Sequence, residues 1–194
     1  MQILDANLGD TIKVFDKADF LRNPKDINMD CFKIIASYGI KKTHKEDDKD
    51  KAIKRAYHSL KKTNESFFTD DENGIIYIMY KGEKPIVFAL YSQKMHTNTW
   101  VLELIHTHKG WTMLGKASKL LQISTQNLNA YEGAEEMIAV VNKKNEASLN
   151  LHEAFIKKND LYCYVDEDRT RKSFHINISN IAQQKIDLDQ EYAN

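Results

Sequence analysis

The apolar positions change period several times along the chain. Between Ile27 and Tyr38, the residues Met29, Phe32, Ile35 and Ala36 recur at helical spacing, and Gly39 supplies a stop. The segment from Lys41 to Lys62 begins as a charged loop and becomes helical near Asp50, where Ala52, Ile53, Ala56, Tyr57 and Leu60 form one stripe. After Asn73-Gly74 the pattern switches to GIIYIMY, then KGEK, then PIVFALYSQ, which predicts a β-hairpin around a glycine-containing turn. A third run, Thr99 to Thr107, follows the polar break KMHTN and extends the antiparallel set to three strands.

A helix follows, with Met113, Ala117, Leu120 and Leu121 on one stripe. Met137 to Val141 is a short continuous apolar run, the pattern of a strand buried on both faces. A further helix, Asn145 to Lys158, places Ala147, Leu151, Ala154 and Phe155 on its inner side. LYCYV and FHINI close the pattern as strands around the charged turn DEDRTRK. The order is two helices, three antiparallel strands, helix, strand, helix, two strands. It predicts an α+β fold with a mixed, mostly antiparallel sheet flanked by helices, in which the central strand-helix-strand unit makes Leu102–Thr107 and Met137–Val141 parallel.

Composition narrows the class. The 194 residues carry 42% hydrophobic content, only Pro24 and Pro85, and no Gly/Ser-rich linker, which predicts a single domain over 1–194. Lys and Arg number 28, and so do Asp and Glu, so no overall field draws the chain to nucleic acid or to an anionic membrane. The basic surplus between Lys41 and Lys62 is local. No run reaches the roughly 18 apolar residues of a membrane span, and MQILDANLGD lacks the basic start and apolar core of a secretory signal. Cys31 and Cys163 stand far apart without ligand spacing, so the expectation is reduced thiols in a cytoplasmic protein, monomeric or homodimeric.

The chemistry concentrates in IHTHKGWTMLGKASKLL, Ile105 to Leu121, a strand end running into a helix start. Such a start presents unpaired N–H groups and the positive end of a dipole, and so suits a phosphate. Gly110 and Gly115 allow close approach, and Lys109 and Lys116 add charge. Glu103, His106 and His108 are candidate bases, with alternation placing Glu103 on the face opposite the histidines. The two histidines have the i, i+2 spacing of metal ligands but no third ligand at a fixed spacing, so no metal is expected. Cys163 alternates as an ordinary strand residue.

The element order from Gly74 to Ile178 and two motifs resemble the GNAT acyltransferase superfamily. TMLGKA, Thr112 to Ala117, is similar to the family's pyrophosphate loop (Q/R)xxGx(G/A): Gly115 and Ala117 match, and Thr112 replaces the Gln or Arg. Asn145, Ser148, Leu151 and His152 stand at the Asn, small, apolar and Tyr positions of a second motif, with histidine replacing the tyrosine. The resemblance implies acetyl-CoA as acyl donor and an amine as acceptor, bordered by the first two helices. It implies that the two parallel strands diverge towards their ends. It also implies a donor site made of Leu104, Ile105 and His106, of Lys109, Gly110, Trp111, Thr112, Met113, Leu114, Gly115, Lys116 and Ala117, and of Asn145 and Ser148. A backbone N–H between Leu104 and His106 would hold the oxyanion, Glu103 would act as base, and His152 would protonate the leaving thiolate. The alternative is a CoA-binding or protein-interaction module of the same fold without turnover.

Overall fold

The computed structural model describes residues 1–5, 9–40, 48–69 and 73–181. The charged loop expected after Lys41 falls largely outside them. In chain order the elements are strands β1 (Gln2–Asp5) and β2 (Asp10–Phe15), then helices α1 (Lys17–Arg22), α2 (Pro24–Ala36) and α3 (Lys49–Thr69). Strands β3 (Gly74–Lys81), β4 (Lys84–Gln93) and β5 (Thr99–Thr107) follow, then helix α4 (Lys116–Glu132) and strand β6 (Glu136–Asn142). Helix α5 (Glu146–Lys158) and strands β7 (Cys163–Glu167) and β8 (Arg171–Asn177) complete the set. The mostly antiparallel α+β architecture is as expected. The first three elements, β1, β2 and α1, were not foreseen.

The chain divides into two compact units, Met1–Ser92 with Leu104–Leu120, and Gln93–Glu103 with Leu121 onward. In the first unit β1, β2, β3 and β4 pair antiparallel in chain order, and β5 contributes its second half beside β4. Ile76, Ile78 and Tyr80 of β3 and Phe88 and Leu90 of β4 form one core with Phe20 of α1, Ile27, Cys31, Phe32 and Ile34 of α2, and Leu60 and Phe68 of α3. Phe20 and Phe68 stack with ring centroids 4.3 Å apart. On the other face Tyr77 and Tyr91 are also fully buried and meet edge to face. Burial on both faces is why β3 and β4 read as continuous apolar runs rather than as alternation. The inner face of α2 is rotated from the one expected: Ile27, Cys31 and Ile34 are buried, while Met29 is 37% exposed.

In the second unit the first half of β5 pairs parallel with β6, from Thr99↔Glu136 to Leu102↔Ala139, as the crossover rule requires. The ladder stops there, although β6 runs on to Asn142. Strand β8 pairs antiparallel with β6 on one side and with β7 on the other. The buried side of α5 consists of His152 and Phe155, whereas Ala147 and Ala154, expected inside, are exposed. No described helix is long and apolar enough to cross a membrane.

Candidate donor site

Strand β5 ends at Thr107, and the next residue organises the turn. The His108 N–H donates to the Ile86 carbonyl at 2.7 Å, its carbonyl accepts from the Trp111 N–H at 2.8 Å, and its Nδ1 accepts from the Gly110 N–H at 3.1 Å. The Lys109 N–H donates to Ser37 Oγ at 2.7 Å. His108 is therefore a capping residue for the single turn Lys109–Trp111. Burial and the nearby Lys84 charge hold its imidazole below the ordinary range. His106 stacks on Phe88 with ring centroids 5.5 Å apart, and burial lowers its basicity too.

Beyond Thr112 the backbone amides lose their partners. Met113 and Gly115 both adopt left-handed conformations, with φ of 64° and 67°. The first bond into α4 is from the Lys119 N–H to the Gly115 carbonyl at 2.9 Å. Among the described residues no acceptor meets the amides of Met113, Leu114, Gly115, Lys116, Ala117 and Ser118. Gly115, where a helix usually places a capping side chain, has none, and a Cβ built on it would meet nothing within 4 Å. The first turn of α4 contains no acidic residue. The result is an open, exposed row of donors at the positive end of a helix, the arrangement that binds phosphate oxygens.

The stripe expected for this helix is corrected at one position. Met113 lies before α4 and is 99% exposed. Thr112, in place of the motif's Gln or Arg, donates its hydroxyl to the Lys109 carbonyl at 2.9 Å. Trp111 is half-buried, with the Lys116 ammonium 5.8 Å from its ring centroid. Lys116 does not point freely at the open amides. Its Nζ lies 2.6 Å from Oδ2 of Asp10, on β2, and Lys119 Nζ lies 3.4 Å from the same oxygen. Asp10 was missed in the sequence, although the alternation of Ile12 and Val14 in DTIKVF signals the strand that carries it.

Glu103 is half-buried on β5. Alternation along the strand sets it opposite Leu104 and His106, and Leu104 packs against the first unit's core.

His152 has a different character from the one expected. It is 2% exposed, and its ring lies parallel to that of Phe174 at 5.6 Å. Its Nδ1 is 2.7 Å from the Ser148 carbonyl, which can only accept, so Nδ1 carries the proton. Burial pushes the imidazole below its ordinary pKa against the opposing effect of that hydrogen bond, so the ring is neutral at pH 7. Nε2 is then a lone pair, and no hydrogen-bond partner meets it among the described residues. An acid for the thiolate needs a proton on the free nitrogen, and this ring does not offer one. Asn145 and Ser148 are occupied with each other: Asn145 Oδ1 accepts from the Ser148 N–H at 3.2 Å and caps α5.

The family model for the acetyltransferase (GNAT) family matches residues 37–155. No curated protein matches the chain by sequence. Among solved structures, a ribosomal-protein-S18-alanine N-acetyltransferase from Escherichia coli superposes with a TM-score of 0.54 at 12% identity, over 86% of this chain and 91% of that one. A diaminobutyrate acetyltransferase from Paenibacillus lautus, in complex with L-2,4-diaminobutyric acid and coenzyme A, gives 0.53 at 11% identity, over 88% and 95%. A spermidine N-acetyltransferase chimera from Vibrio cholerae and hSSAT gives 0.56 at 10% identity, over 90% and 99%.

Proposed function

Because the chain belongs to the GNAT acetyltransferase family, whose donor is acetyl-CoA, we propose that it transfers the acetyl group to a primary amine, with the donor's diphosphate on the open amides from Met113 to Ser118. That row of unpaired donors is the observation that carries the reading. The pantetheine arm then runs back along Leu104 to His106, where a backbone N–H polarises the thioester carbonyl. An amine is protonated at neutral pH, so attack first requires loss of a proton. Glu103 is the acceptor for it. The neutral amine nitrogen bonds to the carbonyl carbon, the carbon–sulfur bond breaks, CoA departs as thiolate, and the second proton on the new amide nitrogen passes to solvent water. A thiol of ordinary pKa, about 8.5, leaves without an obligatory acid, so the step proceeds without a proton from His152.

The acceptors named for the similar structures are a protein alanine, diaminobutyric acid and spermidine. All carry amines, which supports the acceptor class and leaves open small molecule against protein. The free thiols of Cys31 and Cys163 fit the reducing cytoplasm.

Calorimetry with CoA, followed by thiol release from acetyl-CoA across a panel of amines, tests the reading. Glu103→Gln should lower turnover by roughly 10²–10⁴-fold while leaving CoA affinity intact. The proton-free Nε2 of His152 favours a second reading, a CoA-binding module without turnover. Tight CoA binding with no thiol release from any amine would establish that instead.

A further inference from the structure

Helix α4 starts against the usual electrostatic preference. A helix N-terminus favours acidic neighbours, yet the first turn of α4 holds Lys116 and Lys119 and no acid. The missing negative charge comes from far away in sequence. Asp10 is 1% exposed, and its Oδ2 takes both lysines, at 2.6 Å and 3.4 Å. Its Oδ1 lies 3.7 Å from Lys81, the residue opposite it in the β2–β3 ladder. Burial alone would raise the pKa of this carboxyl, but the lysines outweigh it and hold the group ionised, below its ordinary value.

Two consequences follow from that geometry. The lysines are spaced i, i+3, so one carboxylate fixes a single face of the helix and therefore the rotation of its first turn. One negative charge among three positive ones also leaves the surroundings net positive, so an anion meets no net repulsion there. We propose that Asp10 is a positioning residue for donor binding, clamping the start of α4 through Lys116 and Lys119 so that the amides of Met113 to Ser118 stay aimed outward. This rests on the CoA reading above. Without the clamp the three ammonium groups lose their shared acceptor and repel one another, and the donor row loses its fixed orientation.

The test is calorimetry on the whole chain with two probes: CoA, and pantetheine, which has the thiol arm but no diphosphate. Asp10→Asn should weaken CoA roughly tenfold and leave pantetheine unchanged, and Asp10→Asn combined with Lys116→Met should be no worse than Asp10→Asn alone. Equal losses for both probes indicate general damage to the fold and overturn the clamp. Additive effects of the two substitutions overturn it, because Lys116 would then act on the phosphates directly. Tighter CoA binding in Asp10→Asn also overturns it, since Asp10 would then be only a repulsive charge. Should Asp10→Asn fail to fold, Lys116→Met decides alone: wild-type CoA affinity in that variant sinks the proposal. If the wild type itself does not bind CoA, the functional reading falls and the clamp falls with it. If the wild type binds but the variants match it, only the clamp falls.

Discussion

Helices α4 and α5 both follow a strand through a short turn, yet their first turns are finished differently. At α5 a side chain takes one of the first donors: Asn145 Oδ1 accepts from the Ser148 N–H, and Glu146 adds an acidic group in the first turn. At α4 a glycine takes the capping position, the acid is absent, and the amides stay open. The family's motifs mark both places, and by sequence spacing both qualify for the donor. The physical difference is whether a side chain already occupies the N–H groups. A capped helix start is a structural joint, and an uncapped one is a binding surface.

The most forceful way to break this contrast is to obstruct the open start. Gly115→Val places a branched side chain at a left-handed position within the open row of amides. Losing two charge-assisted hydrogen bonds at about 1.5 kcal/mol each would weaken CoA roughly 100-fold. The folding cost should be smaller, about 1–2 kcal/mol. Calorimetry and thermal unfolding on the same sample separate the two, and unchanged CoA affinity in a folded variant would remove the donor site from α4.

The next effect belongs to the closed helix. His152 is held below its ordinary pKa by burial, so at mildly acidic pH the unfolded chain takes a proton that the native ring refuses. The associated stability is complete above pH ~6.5 and falls as pH drops below it, by up to about 1.4 kcal/mol per pH unit. His152→Phe, which keeps a ring against Phe174, should flatten that slope in urea unfolding between pH 7 and 5. An unaltered slope would show that the native ring titrates freely, and the argument for a proton-free Nε2 would fail.

Asn145→Ala sharpens the contrast directly. It should cost about 1 kcal/mol of stability through the lost cap, and CoA affinity should not change. A fall in affinity would return Asn145 to the donor site. The smallest effect is expected at Met113. Replacing it with glycine relieves a left-handed residue and adds backbone entropy to the unfolded chain, for a net gain of about 0.5 kcal/mol, measurable as a small rise in Tm.

Much of the fold was legible because long periodic segments report burial directly. Strands β3 to β8 and helices α2 to α5 emerged from their patterns with boundaries shifted by a few residues. The misplaced positions share a cause: Met29 and Met113 are apolar residues at the right spacing that the structure leaves in solvent, and spacing cannot distinguish a buried methionine from an exposed one. His152 is the converse, a polar residue on a buried face whose neighbour Phe174 comes from a strand twenty-two positions later. At the site, TMLGKA marked the donor loop, but the feature that makes it open, the absence of caps, required coordinates. Asp10 was the least readable. A carboxylate in a short N-terminal strand becomes informative only when lysines from two distant elements close around it.

The ion pair between Asp10 and Lys116 joins residues 106 positions apart, and this separation bears on assembly in time. Contacts between distant segments form late, because the chain must first give up the entropy of closing a long loop. During synthesis the strand bearing Asp10 emerges well before the helix it holds, and β3, β4 and β5 lie between them. The anion cradle therefore takes its final orientation only after the intervening sheet has formed, which makes competence to hold the donor a late event in folding.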